Sequence, residues 1–77
     1  MSEDIYVQEK LTWVKQRLAI LDTIDEKMQE MKQMAEYARD HELSADEKVE
    51  MNIKINKLNR EVKNLYKRDQ NFWLEWQ

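Results

Sequence analysis

Three residue types are missing from this chain of 77 residues: glycine, proline and cysteine. Without glycine and proline, tight β-hairpin turns and loop-rich folds lack the residues that favour them. Without cysteine, disulfides and thiolate metal sites are excluded. The composition is rich instead in Glu, Lys, Met, Gln and Leu, which are good helix formers. These observations predict an all-α protein.

Long apolar runs are also missing. No stretch approaches the ~20 consecutive apolar residues that a helix needs to span a bilayer. The first ten residues, MSEDIYVQEK, are acidic and have no apolar core of the kind that a signal peptide carries. We therefore expect a soluble, cytoplasmic protein with no transmembrane segment.

Residues that carry catalytic chemistry are scarce. The only histidine, His41, lies between Asp40 and Glu42, in the region where the apolar pattern stops. Two adjacent carboxylates and one imidazole on a turn make a poor metal site, so we expect His41 to be solvated. A phosphate-binding loop needs glycine, which is absent. We predict no enzyme activity, no catalytic residue, no metal site and no cofactor.

Apolar residues recur at helical spacing in both halves of the chain. In the first half they are Ile5, Leu11, Val14, Leu18, Leu21, Ile24, Met28, Met31, Ala35 and Ala38. In the second half they are Met51, Ile55, Leu58, Val62 and Leu65, continuing to Phe72 and Trp76. The pattern predicts a single domain over 1–77: a long antiparallel, coiled-coil-like hairpin with helices at about 3–39 and 45–76 and a turn at about 40–44.

Both predicted seams contain an irregularity. Leu18, Leu21 and Ile24 are spaced three and three, which departs from a heptad and should rotate the seam locally. Asp69 occupies a seam position in the second half, and we expect the seam to fray or shift there and leave the carboxylate in water. The alternative is a buried polar group that specifies a partner. Extra apolar residues beside each seam widen the stripes. This width suits a helical bundle, so we expect a homodimer or a helical protein partner.

The turn has a strong helix-start signal. Ser44 followed by Glu47 is a capping box, in which each side chain bonds the backbone amide of the other residue. We expect Asp40 and His41 to make the exit from the first helix, in the left-handed region. A second capping pattern, Thr23 to Glu26, would give a three-helix arrangement. The apolar pattern runs through it, which favours a continuous helix; an opened, domain-swapped hairpin remains a further alternative.

Charge is unevenly distributed between the halves. Residues 1–47 hold twelve acids and six bases, and residues 48–77 hold four acids and seven bases. The simplest interpretation is that the basic half pairs with the acidic half inside the hairpin. The alternative is a regulator that binds nucleic acid through a basic face on the second helix. That face would comprise Lys54, Lys57, Arg60, Lys63, Lys67 and Arg68.

The C-terminal sequence NFWLEWQ is the most apolar part of the chain. It could cap the open end of the hairpin, or insert into a membrane surface beside Lys67 and Arg68. Leu74 should point away from the face formed by Phe72 and Trp76, which leaves an apolar patch for another chain. The predicted interaction surface is Trp13, Tyr66, Phe72, Trp73, Leu74 and Trp76. We predict a non-enzymatic protein that acts by self-association or by docking on a helical partner.

Residues 21–65 resemble the helical hairpin in the conserved N-terminal region of bacterial flagellins. The resemblance is carried by Leu21, Ile24, Met28, Gln29, Met31, Lys32, Met34, Ala35, Ala38, Leu43, Ser44, Glu47, Lys48, Met51, Ile55, Leu58, Glu61 and Val62. The family usually has Gly or Asn in the turn, where this chain has Arg39, Asp40, His41 and Glu42. The resemblance implies a hairpin fold. Filament assembly is not implied, because the terminal segments that drive it have no counterpart here.

Overall fold

Two antiparallel helices make up the fold, as the sequence predicts. The computed structural model describes the backbone from Ser2 to Trp76 and the side chains from Glu3 to Asn71. Helix α1 spans Ser2–Asp40 and helix α2 spans Ala45–Trp76. They form an elongated hairpin with dimensions of 63 × 17 × 14 Å. The all-α class and the hairpin architecture are confirmed.

Helix α1 runs without a break through the second capping pattern. The Thr23 hydroxyl donates to the carbonyl of Ala19 at 2.9 Å, which is a bond within a continuing helix. Thr12 bonds Gln8 in the same way at 3.0 Å. The prediction of a continuous first helix is therefore confirmed. The three-helix alternative is wrong, because the Thr23 hydroxyl bonds the preceding turn instead of capping a new helix.

The connection between the helices relies on the predicted capping box. The Glu47 amide donates to Ser44 Oγ at 3.2 Å, and the Ser44 amide donates to Glu47 Oε1 at 3.3 Å. These bonds satisfy amides that the first turn of a helix leaves without partners. Asp46 and Glu47 also place negative charge at the positive end of the helix dipole. The start of α2 is thus fixed by local chemistry.

The end of α1 differs from the predicted left-handed exit. No described residue has a positive φ angle. Instead the His41 amide bonds the Tyr37 carbonyl at 3.0 Å, and the two rings stack with their centroids 4.1 Å apart. Asp40 accepts hydrogen bonds from Arg39. These contacts hold the last turn in helical geometry, so the chain reverses through Glu42 and Leu43 without a left-handed residue.

The core of the described hairpin is small. It consists of four buried side chains, Ile20, Ile24, Leu58 and Val62. Ile20, Ile24 and Val62 form one cluster, against which Leu65 packs. None of the described side chains is completely buried. A domain of this size is marginal on such a core, so further burial would add much to its stability.

Candidate functional site

One face of α1 packs against α2, and it follows an uninterrupted heptad. With the exception of Thr23, every described α1 residue that is buried or half-buried belongs to this packed face. Its members are spaced alternately three and four residues apart: Lys10, Trp13, Arg17, Ile20, Ile24, Lys27, Met31, Met34 and Ala38. The facing residues of α2 follow the predicted seam, from Met51 to Asp69.

The predicted seam of α1 is therefore wrong over most of residues 11–28. Leu11, Val14, Leu18, Leu21 and Met28 were assigned to it, and all five are exposed. The true packed face lies one residue earlier at each of these positions. It contains Arg17 and Lys27, which hydropathy alone would exclude. Both can lie there because each meets a carboxylate of α2, and because long basic side chains cover apolar surface with their stems.

Arg17 and Asp69 form the first of these ion pairs. The Arg17 Nε donates to Asp69 Oδ1 at 2.8 Å, and the Asp69 side chain is only 14% exposed. The guanidinium also lies over the Trp13 ring, 5.9 Å from its centroid. The expectation that Asp69 would be left in water is wrong, because Arg17 supplies a charged partner at the seam. The seam continues through Asp69 without fraying.

Lys27 and Glu61 form the second cross-helix pair. The Lys27 Nζ donates to Glu61 Oε2 at 2.7 Å. This hydrogen bond lowers the pKa of the Glu61 carboxyl; partial burial opposes the shift, and the charges of Lys27, Lys57 and Arg60 add to it. Both cross-helix pairs thus join a base of α1 to an acid of α2. The direct pairing expected from the sequence, acids of α1 with bases of α2, has the opposite sense.

A second apolar face of α1 remains open, and we call it the outer stripe. From Leu11 onward, each position of the outer stripe lies one residue after a position of the packed face, and Val7 extends the same alternating spacing of three and four. The outer stripe is therefore a second heptad. It consists of Val7, Leu11, Val14, Leu18, Leu21 and Met28, with Asp25 in the remaining position. The six apolar side chains are between 36% and 54% exposed. Contiguous apolar surface of this kind is typical of interaction sites.

The positions of α2 that correspond to the outer stripe are mostly polar. One residue after each packed position of α2 lie Asn52, Asn56, Asn59, Lys63, Tyr66 and Gln70. Large exposed apolar residues on described α2 are limited to Val49, Ile53 and Tyr66. Within residues 3–71 the two helices are therefore unequal: α1 has two apolar faces, and α2 has one.

The predicted aromatic surface is only partly described. Trp13 lies half-buried on the packed face, beside Arg17, while Tyr66 is exposed on α2. The side chains of Phe72, Trp73, Leu74 and Trp76 lie outside the described residues. The outer stripe was not predicted to be open, because five of its six apolar residues were assigned to the seam. Its signal was the three-and-three step at Leu18, Leu21 and Ile24, where the predicted seam crosses from the outer stripe to the packed face.

The predicted basic face of α2 is more uniform than the sequence suggests. Between residues 51 and 71, the only acids of α2 are Glu61 and Asp69, and both are bonded to α1. The bases of this segment are exposed, and none has an ion-pair partner among residues 3–71: Lys54, Lys57, Arg60, Lys63, Lys67 and Arg68. The outward surface of this segment thus carries charge of one sign.

Other site chemistry is limited. His41 is exposed, and its Nδ1 lies 3.0 Å from the Tyr37 carbonyl oxygen. Among the described residues, no group of three or more His, Asp or Glu side chains is placed to hold a metal ion. In the same part of the chain, neither helix has an apolar stretch sufficient to cross a bilayer.

Comparison with protein-family models, curated proteins and solved structures finds no match to this chain. The resemblance of residues 21–65 to the flagellin hairpin therefore stays a prediction.

Proposed function

We propose that this protein acts by protein–protein association, not by catalysis, and that the outer stripe of α1 is the surface that receives another helix. The observation that carries the proposal is the second apolar heptad, which α2 does not cover. An amphipathic helix that docks on such a stripe would insert its own apolar residues at matching spacing. The predicted cytoplasmic location is part of this proposal.

The spacing of the stripe favours a helix as the occupant. Val7, Leu11, Val14, Leu18 and Leu21 are separated by four, three, four and three residues, which is the spacing of knobs-into-holes packing between helices. These side chains are half exposed, so a second helix could cover their apolar surface while removing few polar groups from water. Asp25 is the one carboxylate on the stripe, and it limits the strength of any such contact.

Site-specific photo-crosslinking in the source organism tests this proposal. A photoreactive amino acid in place of Leu18 should form a covalent adduct with a second polypeptide, identified by mass spectrometry of the crosslinked peptide. The matched control carries the same group in place of Asn64, an exposed residue of α2 away from the outer stripe. An adduct with a helix at the first position only supports the proposal. No adduct, or equal yields at both positions, contradicts it.

The basic face of α2 supports a second candidate, which is binding of nucleic acid. Because the two acids of residues 51–71 are directed to α1, six bases on one helix are free to contact phosphates. Binding to a labelled single-stranded oligonucleotide, measured by fluorescence anisotropy, should weaken steeply as salt rises.

The matched variants for this candidate differ in where the charge is reversed. The variant K57E/K63E/K67E should lose oligonucleotide binding, whereas K15E/K32E/K48E, which reverses three exposed charges outside the basic face, should retain it. Absence of wild-type binding at low salt removes the candidate.

A further inference from the structure

We propose that the helix that covers the outer stripe is α1 of a second copy of this chain, running antiparallel to the first. This inference rests on the proposed function and names its partner. A two-fold symmetric contact uses the same surface on both copies. Within residues 3–71 only α1 offers a second apolar heptad, because five of the six equivalent positions of α2 are polar: Asn52, Asn56, Asn59, Lys63 and Gln70. The contact between copies must therefore be α1 against α1.

The charge pattern along α1 sets the orientation of this contact. Residues 10–20 contain three bases and no acid, whereas residues 22–30 contain four acids and one base. A parallel pair would place each segment against its like-charged equivalent. An antiparallel pair that crosses near residue 20 places the basic segment of each copy beside the acidic segment of the other, twice by symmetry. Asp25 would also face Asp25 of the second copy in a parallel pair, and antiparallel packing avoids this.

The stripe residues set the register. With the two-fold axis between Ala19 and Ile20, Leu18 of one copy faces Leu21 of the other, and Leu11 faces Met28. Lys15 then lies beside Asp22 of the second copy, on the flank of the stripe, at two symmetric places. Both side chains are exposed. They lie two helical turns apart in one chain, about 10 Å along the axis, and none of the ion pairs of the described residues joins them.

The available area is sufficient for a specific but weak dimer. The six apolar side chains of the stripe expose roughly 500 Å² per chain, in the upper range for the largest patch of a monomer. Two copies would bury roughly 1,000 Å² in total, which is near the lower limit for specific interfaces. We therefore expect micromolar affinity, and an equilibrium between single hairpins and dimers.

Sedimentation equilibrium of the purified full chain tests this inference. The wild type should be monomeric when dilute and dimeric when concentrated. K15E and D22K should each weaken the dimer about tenfold, because each replaces two attractions by two repulsions. The double variant K15E/D22K restores opposite charges between copies, so its dissociation constant should return to within about threefold of the wild type. In a parallel dimer these positions do not meet, so no rescue would occur.

Two further variants serve as controls. K57E changes the net charge as K15E does, but it lies on α2 and should leave the dissociation constant unchanged. D25L makes the outer stripe continuous and should tighten the dimer about tenfold. Circular dichroism checks that each variant keeps its helices, and K15Q and D22N replace the reversals if either disturbs folding.

Each outcome has one meaning. Dimerisation with rescue by K15E/D22K supports the inference. A wild-type chain that stays monomeric when concentrated, or a dimer that the two reversals do not weaken, overturns it. If the chain is monomeric and the crosslinker at Leu18 still captures a helix of another protein in the source organism, the second copy is excluded while the proposed function stands.

Discussion

Replacing Ile24 and Leu18 by alanine distinguishes the packed face from the outer stripe. The two residues lie on the same helix and are both large and aliphatic, but Ile24 is 4% exposed and Leu18 is 54% exposed. Ile24 packs with Ile20 and Val62 in the main core cluster. I24A therefore removes buried methyl groups and leaves a cavity, at a cost of about 2 to 4 kcal/mol. L18A removes atoms that already contact water, at a cost of about 0.5 kcal/mol.

Urea denaturation followed by far-UV circular dichroism measures both free energies of unfolding. The protein should be dilute, so that any association through the outer stripe is absent. I24V, which should cost about 1 kcal/mol, gives a graded variant if I24A is too unstable to measure. The slope of the free energy against urea should not change between variants. Equal losses for I24A and L18A, or a larger loss for L18A, would refute the assignment of the two faces.

Three further predictions concern the ion pairs and the turn. D69L removes the seam carboxylate to which Arg17 donates and should cost about 1 to 3 kcal/mol, while R17M/D69L should cost less than D69L alone, as measured by urea denaturation; a double variant worse than the single one contradicts the pairing. Because the pKa of Glu61 is lowered on folding, its contribution to stability is full above the ordinary glutamate pKa and is lost as pH falls through the lowered value. The stability difference between wild type and E61Q should shrink over that acidic range, and a constant difference would count against it. S44A should cost about 1 kcal/mol by loss of the helix cap, and no measurable change would show that the capping bonds contribute nothing.

The sequence predicts the hairpin well because the signals for it are local. The capping box at Ser44 and Glu47 is made by residues three apart, and it appears in the structure with both of its bonds. The seam of α2 is also predicted correctly from Met51 to Leu65. The positions flanking it are mostly polar, so only one apolar heptad is available there. Local patterns thus determined where the helices lie and which face of α2 is packed.

The packed face of α1 could not be assigned in the same way. Two heptads lie side by side on α1, and the more apolar one is the outer stripe. Hydropathy selects Leu18 over Arg17 and Met28 over Lys27, since it ignores partners that lie 52 and 34 residues away along the chain. The ion pairs with Asp69 and Glu61 are long-range contacts, and they make the less apolar heptad the packed face. The same pairs remove the acids of α2 from its outer surface, which is why the basic face is more uniform than composition implies.

The stability of the hairpin and its association are physically linked. Among residues 3–71, four buried side chains make a small core for a helical pair of this length. Burial of the outer stripe against a second copy would add apolar contacts to those of α1 with α2. The midpoint of thermal unfolding should therefore rise with protein concentration, as mass action requires when the folded form associates.

Helix α1 packs on α2 with one face and leaves the outer stripe exposed, and cysteine accessibility distinguishes the two faces. Because the chain has no cysteine, L18C and I24C each introduce a single thiol, whose rate of labelling by a maleimide can be measured. In dilute protein, L18C should be labelled at least about tenfold faster than I24C, because labelling of the latter requires the helices to open. L18C labelling should slow as the protein is concentrated. Equal rates for the two variants in dilute protein would show that Leu18 and Ile24 do not lie on an open and a packed face of α1.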